Sequence, residues 1–117
     1  MKNWDSLKTY PEFKRVYDGH RSRADRLLVM YALPNGPDRF RVGLSVSKKV
    51  GNSVIRHRIT RRLREIVRDN RRRLTGGWDI VVVVRSAAKT AGYQELEGAF
   101  LHLAGMHRLL GPEEKTV

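Results

Sequence analysis

The sequence predicts an α+β fold, an α/β sandwich in which three helices pack on one small mixed sheet. Three patterns carry this prediction. Residues 39–47 alternate between apolar and polar side chains, as a strand with one buried face does. Residues 80–84 form a continuous apolar run, which is typical of a central strand. Residues 53–73 repeat their apolar side chains with the period of a helix that covers such a sheet.

The first half of the chain is predicted to contain a short helix and two strands. A proline at the start and apolar residues on one face indicate a helix over residues 11–18, which Gly19 is expected to end. Residues 24–33 have the composition of a strand. A dense turn signal at residues 34–38 separates this strand from residues 39–47. We therefore expect the two strands to form an antiparallel hairpin.

The second half adds a long helix, a strand and a final helix. Asn52 or Ser53 can cap the helix predicted over residues 53–73. The strand predicted over residues 78–85 completes a strand–helix–strand unit, whose two strands can lie parallel. Residues 89–110 then repeat apolar side chains at helical spacing and are predicted to form the last helix.

Length and composition indicate one small domain. The 117 residues suit a single domain, which we place at residues 1–110, followed by a disordered tail over residues 111–117. The absence of cysteine excludes disulfides and thiolate metal sites. No apolar run is long enough to span a bilayer, and the start of the sequence lacks the apolar stretch of a secretory signal. We therefore expect a cytoplasmic protein.

Positive charge is concentrated in one segment. The chain carries 24 Lys and Arg against 12 Asp and Glu, a net charge of +12. Residues 48–73 hold 11 of these cations and only two acids, Glu65 and Asp69, and so supply +9 of that excess. This distribution is typical of a domain that binds a polyanion, either nucleic acid or an anionic membrane surface.

The long basic helix is predicted to be two-sided. One face presents an apolar stripe, formed by Ile55, Ile59, Leu63 and Ile66. The opposite face presents cations at helical spacing, namely His57, Arg61, Arg64, Arg68, Arg71 and Arg72, with Arg58 and Arg62 on the flanks. A solvated surface helix is the plain alternative, but the near absence of acids favours polyanion binding. A membrane-surface helix is the weaker alternative, because the apolar stripe lacks Trp and Phe.

Residues 42–65, VGLSVSKKVGNSVIRHRITRRLRE, resemble the protein subunit of bacterial ribonuclease P. That family has a strand ending in Ser-x-Ser-Lys-Lys, then Gly-Asn-x-Val, then a helix that opens with Arg-Asn-Arg and continues with further arginines. The matching positions are Gly51, Asn52, Val54, Arg56, Arg58, Arg61, Arg62 and Arg64. His57 and Thr60 depart from it, at positions where the family usually has Asn and Lys. Weaker matches in the same order extend the resemblance over residues 5–104.

The resemblance implies a fold and a function. The fold is similar to that of one ribosomal protein domain, with a left-handed strand–helix–strand crossover and one further strand near residues 21–26, which makes a sheet of three to four strands. The implied activity is removal of the 5′ leader from precursor tRNA, with the catalytic Mg²⁺ ions carried by a large RNA subunit. The implied partners are therefore that catalytic RNA and precursor tRNA, with no membrane and no required oligomer.

The resemblance also implies two sets of site residues, neither of them catalytic or metal-binding. The RNA-binding set is Lys48, Lys49, Asn52, Arg56, His57, Arg58, Arg61, Arg62, Arg64 and Arg68. The set for a leader-binding cleft is Phe13, Tyr17, Tyr31, Ser45 and Lys49. The aromatic residues of the second set can stack on single-stranded bases, although taken from the residues alone they read as core.

Two other functions fit parts of the sequence. A ribosomal or assembly protein would use a basic helix equally well. An independent metal nuclease would need a cluster of carboxylate or histidine ligands, and the four histidines of the chain show no metal-ligand spacing. Glu95 and Glu97 stand two residues apart, which points them to different sides of a helix.

Overall fold

The structure, a computed structural model, describes residues 4–36 and 39–111 of the chain. We number its elements in chain order. The strands are β1 Asp5–Ser6, β2 Ser22–Ala24, β3 Leu28–Pro34, β4 Phe40–Ser45 and β5 Trp78–Val84. The α-helices are α1 Tyr10–Asp18, α2 Ser53–Asn70 and α3 Tyr93–Met106, and short 3₁₀ helices cover Arg71–Arg73 and Ser86–Thr90.

The strands form one mixed sheet in the order β1-β4-β5-β3-β2. β4 lies parallel to β5 and to β1, whereas β3 is antiparallel to β5 and to β2. The predicted sandwich, the central position of β5 and the parallel β4–α2–β5 unit are confirmed. The sheet has five strands rather than the three to four predicted. The predicted number is too low because β1 and β2, only two and three residues long, show no periodicity in the sequence. β2 falls where the resemblance placed its extra strand; the left-handed crossover stays a prediction.

The predicted hairpin is wrong. β3 and β4 do not pair, because β5 lies between them and pairs with both: Val82 is opposite Met30 on one side and Leu44 on the other. Since nearly every residue of β5 is buried, this strand is most stable with a neighbour on each edge and side chains packed on each face. Part of the turn predicted between the two strands, residues 37–38, lies outside the described residues.

Several predicted boundaries also move. The strand predicted over residues 24–33 is two elements, because the Asp25 carboxylate accepts the N–H groups of Leu27 and Leu28 and turns the chain. The long helix ends three residues early, and the last helix is shorter at both ends. α1 ends before Gly19 as predicted, but the left-handed residue is His20, with a φ of 55°. Of the predicted tail, residues 112–117 lie outside the described part of the chain.

Helices cover both faces of the sheet. α2 and α3 pack on the face that carries Met30, Val42 and Val82, and this layer forms the main core. α1 packs on the other face, where Val16 and Val81 are buried. α1 comes this close because Gly43 has no side chain. A Cβ atom there would lie 2.5 Å from Cζ of Phe13.

A buried carboxylate joins α1 to the sheet. Asp79 of β5 accepts hydrogen bonds from Arg41 Nη2 at 2.6 Å, Arg15 Nη1 at 3.1 Å and Asn35 Nδ2 at 2.9 Å. Arg41 also pairs with Glu12 at 3.1 Å. Burial raises the pKa of Asp79, but hydrogen bonds from Arg41 and Asn35 and the charges of the two arginines outweigh burial and hold this pKa below its ordinary value.

Candidate nucleic-acid interface

The exposed face of α2 is a row of cations. Ile59, Leu63 and Ile66 are fully buried against the sheet and α3, so the opposite face of the helix points to solvent. Its exposed basic side chains are His57, Arg61, Arg64 and Arg68, with Arg72 just beyond the last turn. Asn52 caps the helix through an N–H···O bond from Ile55 at 3.0 Å, which orders its first turn. The prediction that α2 has one buried apolar face and one exposed basic face is confirmed.

Arg71 was predicted on the exposed row and does not belong to it. Its guanidinium lies 4.5 Å from the centre of the Phe40 ring and donates to the carbonyl oxygen of Leu74 at 2.9 Å. The cause is the switch to 3₁₀ geometry after Asn70, which rotates the following residues away from the helical period. Arg71 therefore closes the core at the end of α2.

The central arginines of the row have no acidic partner. Within the described residues, neither Arg61 nor Arg64 forms an ion pair. Asp69, one of the two acids of the helix, is occupied by the Tyr93 hydroxyl at 2.6 Å and by Arg68 at 3.1 Å. The hydrogen bond from Tyr93 is the main reason that the pKa of Asp69 is lowered, and the pKa of Tyr93 is raised in turn, mainly by desolvation. The middle of α2 is thus an uncompensated positive surface.

Two of the predicted RNA-binding arginines have structural partners. Arg58 donates to the carbonyl oxygen of Lys89 at 2.8 Å, and Arg62 donates to that of Ala91 at 3.1 Å. These bonds hold the segment before α3 against α2. A guanidinium has five N–H donors, so each arginine keeps donors that can point outward. The sequence contains no signal for this second role, because the acceptors are backbone atoms about thirty residues away.

A groove runs between α2 and the end of β4. Its volume is about 530 Å³, and its lining residues include Leu44 and Val46 from the strand side and Arg56, His57, Arg61 and Arg64 from the helix. Lys48 and Lys49 are exposed in the loop that joins β4 to α2. Thr60, which departs from the family pattern, lines the groove but bonds back to the Arg56 carbonyl at 2.8 Å. Of the predicted RNA-binding residues, the fold thus brings Arg56, His57, Arg61 and Arg64 together at this groove.

The predicted cleft residues lie on the other face of the sheet, beside α1. Tyr17 and Tyr31 meet edge to face with their ring centres 4.9 Å apart, and Phe13 packs in the same cluster. All three rings are half-buried. They are therefore part of the α1 core and also border the open surface next to it.

The floor of this cleft continues past α1 toward the ends of β4 and β5. Val81 is buried under α1, whereas Val83, two residues on, is only half-buried. Ser45 is the register partner of Val83 and is also half-buried. Lys49 is exposed at the same end, where its carbonyl accepts the Ser86 hydroxyl at 3.4 Å. Phe13, Tyr17, Tyr31 and Ser45 thus lie on this face of the sheet, and Lys49 lies in the loop beyond the end of β4.

Sequence reasoning missed a second basic cluster. Arg21 and Arg23 of the β2 segment meet Arg108, which follows α3, around one concave surface. Residues so far apart in the chain share no helical or strand period, so only the tertiary structure brings them together.

No helix in the described part of the chain is long and apolar enough to cross a membrane. Within residues 4–36 and 39–111, no group of three or more His, Asp or Glu side chains is arranged to hold a metal ion.

Comparisons with known proteins agree with one another. The family model described as "Ribonuclease P" matches residues 1–108. The ribonuclease P protein component of Lachnoclostridium phytofermentans is 44% identical over 110 residues, which cover 94% of this chain and 95% of that protein. The solved RNase P protein of Staphylococcus aureus superposes with a TM-score of 0.83 at 32% identity, covering 91% of this chain and 97% of that one. The Thermotoga maritima RNase P protein gives a TM-score of 0.79 at 26% identity, covering 92% and 99% of the two chains.

Proposed function

Because the chain belongs to the bacterial ribonuclease P protein family, we propose a division of labour between its two surfaces. The exposed face of α2 and the groove beside it bind the RNA subunit of the enzyme. The cleft beside α1 holds the 5′ leader of precursor tRNA. In this proposal the protein positions and neutralises RNA, and the RNA subunit with its Mg²⁺ ions breaks the bond.

The observation that carries the proposal is the unpaired state of Arg61 and Arg64. Both are exposed at the centre of α2, and neither has an ion-pair partner in the described part of the chain. Cations one turn apart on a helix repel each other. Of the two acids of α2, Glu65 forms no ion pair in the described part of the chain, and Asp69 is held by Tyr93. An RNA backbone relieves this repulsion, and guanidinium groups grip phosphate through two hydrogen bonds each.

The composition of the cleft supports leader binding. Single-stranded RNA presents bases that stack on aromatic rings, while the backbone needs hydrogen-bond donors and positive charge nearby. The half-buried rings of Tyr17 and Tyr31 supply the stacking surface. Ser45 at the end of β4 supplies a hydroxyl group, and Lys49 in the loop that follows supplies an ammonium group. Both can contact the backbone of an extended RNA strand.

The charged side chains of the protein support a binding role more than a chemical one. The most buried carboxylate, Asp79, is occupied by two arginines and an amide. Glu12 is likewise bonded, to the backbone N–H groups of Lys8 and Thr9 and to Arg41. Neither is free to hold a metal ion or to act as a base. The excess positive charge instead suits a protein that neutralises RNA phosphates, so that the RNA needs less Mg²⁺ to be active.

The test is reconstitution with the RNA subunit and a precursor tRNA at low Mg²⁺. We expect cleavage at the 5′ end of the mature tRNA to be faster with the protein than with the RNA alone, and no cleavage by the protein alone. No acceleration would overturn the proposal. Cleavage by the protein alone would instead indicate a metal nuclease, and tight binding to ribosomal RNA without preference for precursor tRNA would indicate an assembly protein.

A further inference from the structure

A second basic surface lies at the corner where β2 meets the end of α3. The cavity there has a volume of about 500 Å³, and its lining includes three arginines, Arg21, Arg23 and Arg108, together with His20 and His107. We call this surface the β2–α3 corner. It lies outside residues 42–65, the segment that carries the Arg-rich motif of the family.

The three arginines of the corner have no acidic partners. Arg21, Arg23 and Arg108 are exposed, and none forms an ion pair within residues 4–36 and 39–111. Exposed arginines elsewhere do find acids: Arg26 lies 3.9 Å from Glu95. The positive charge of the corner also affects the pKa of the buried His107. Its pKa is lowered by burial first and then by the nearby charges of Arg21 and Arg23, against the hydrogen bond to the Met30 carbonyl.

The backbone of the corner is unusual on both sides. Among the described residues, only two non-glycine residues have a left-handed φ: His20 at 55° and Arg108 at 61°. L-residues adopt this conformation rarely, and both instances line the same cavity. Each follows the end of a helix, His20 after α1 and Arg108 after α3, where a left-handed residue commonly terminates the helix, so two helix ends meet at this cavity.

The corner is joined to the end of α2 by direct bonds. The Thr75 N–H donates to Leu109 at 2.7 Å, the Gly111 N–H donates to Arg73 at 2.7 Å, and Leu74 forms a β-bridge with Leu110. The segment that carries the exposed Arg72 and Arg73 is therefore tied to the chain that follows Arg108.

The corner also belongs to the same side of the sheet as α2. Arg23 is the register partner of Met30, and paired residues of neighbouring strands point to the same face. Met30 is buried in the core beneath α2 and α3. The leader-binding cleft lies on the opposite face, so the corner shares with α2 the face of the sheet that α2 and α3 cover.

We propose that the β2–α3 corner is a second phosphate-binding surface, which contacts the backbone of the RNA subunit beyond the segment held by α2. The inference rests on the proposed function, because it extends the RNA contact of α2 around the end of that helix. Recognition is by charge and guanidinium geometry, so it reads the RNA backbone and its shape rather than base identity.

A structural role for the same arginines makes a different prediction. The last turn of α3 contains no basic residue, so nearby cations also favour the negative end of this helix dipole. If that is their only role, removing them lowers the stability of the protein and leaves its affinity for RNA unchanged.

The experiment is a titration of the RNA subunit alone with the full chain across a range of salt. The test variant combines Arg23→Ala with Arg108→Gly, because glycine keeps the left-handed backbone while the guanidinium is lost. We expect about tenfold weaker binding at moderate salt, and a slope of log K against log salt that is shallower by about 2. Arg23→Lys with Arg108→Lys keeps the charge and should retain the slope.

Two comparisons make the outcome decisive. Lys14→Ala with Arg26→Ala removes two exposed charges elsewhere and is the control for net charge. If Arg61→Ala with Arg64→Ala weakens binding and the corner variant does not, the corner proposal fails and the proposed function stands. If neither pair weakens binding, the proposed role of α2 fails as well. A corner variant that loses affinity only for precursor tRNA also overturns the proposal.

Discussion

At the scale of single residues, the same side chain can be both core and binding surface. Tyr17 of α1 packs against Tyr31 of β3 in the cluster between the helix and the sheet, so its ring is already ordered before any ligand arrives. A base that stacks on this ring gains contact area without immobilising a free side chain, which lowers the entropic cost of binding. The packing and functional interpretations of the aromatic cluster are therefore compatible.

We expect Tyr17→Ala to reduce discrimination between precursor tRNA with and without a leader. The loss should be about 1–3 kcal/mol for the leader-bearing substrate, the usual contribution of one stacked base. Measured affinities of the reconstituted enzyme for both substrates test this, with Tyr17→Phe as a control that retains the ring. Equal losses for both substrates would mean that the substitution only disturbs the packing of α1.

At the scale of elements, α2 separates its two roles by face. The buried stripe of Ile59, Leu63 and Ile66 fixes the helix on the sheet, and the flanking Arg58 and Arg62 bond to the chain before α3. At the centre of the exposed row, Arg61 and Arg64 form no ion pair within the described residues. Substitutions on this row should therefore affect RNA binding without affecting the fold.

Replacing Arg61 and Arg64 with Ala should weaken binding to the RNA subunit and make its salt dependence shallower by about 2 in the slope of log K against log salt. The free energy of unfolding should change by less than about 0.5 kcal/mol, because both side chains are exposed. Salt titrations and urea unfolding of the same variant measure the two quantities. An unchanged slope would show that the RNA contacts another part of the protein.

At the scale of the whole molecule, stability depends on ion pairs that join its layers. Asp79 links β5 to Arg41 of β4 and Arg15 of α1, and it is fully buried. The lowered pKa of Asp79 means that the folded state favours its ionised form. This contribution is fully present above the unfolded pKa of about 3.9 and is lost as pH falls through the lower pKa of the folded state.

Asp79→Asn should lower the free energy of unfolding by about 3–5 kcal/mol at neutral pH, because Arg41 would lose its buried carboxylate partner and keep only Glu12. As the pH falls below about 4, the variant should also lose less stability than the parent, because it lacks the carboxylate that becomes protonated. Urea unfolding across this range measures both effects. Arg15→Ala is the matched control: it removes only an exposed partner and should cost no more than about 1 kcal/mol. Parallel pH profiles for parent and Asp79→Asn would exclude Asp79 as the titrating group.

Local periodicity was sufficient for the elements and for the orientation of the basic helix. The apolar residues of α2 that were predicted to face inward are buried, apart from the half-buried Ile55, and the cations that face outward were identified correctly except for Arg71. Arg71 was misplaced because a change from α-helix to 3₁₀ geometry has no signal in hydrophobic spacing. β1 and β2 were missed in periodicity because two or three residues are too few to show an alternation.

The sequence by itself determined the sandwich class, the central strand and the two-sided basic helix, because each follows from the spacing of residues close together in the chain. Only the tertiary structure decided which strands are neighbours, how Asp79 joins three elements, and that Arg21, Arg23 and Arg108 share one surface. The physical reason is that pairing order and charge clustering depend on contacts between residues far apart in the chain, and these are selected by the burial of the whole core.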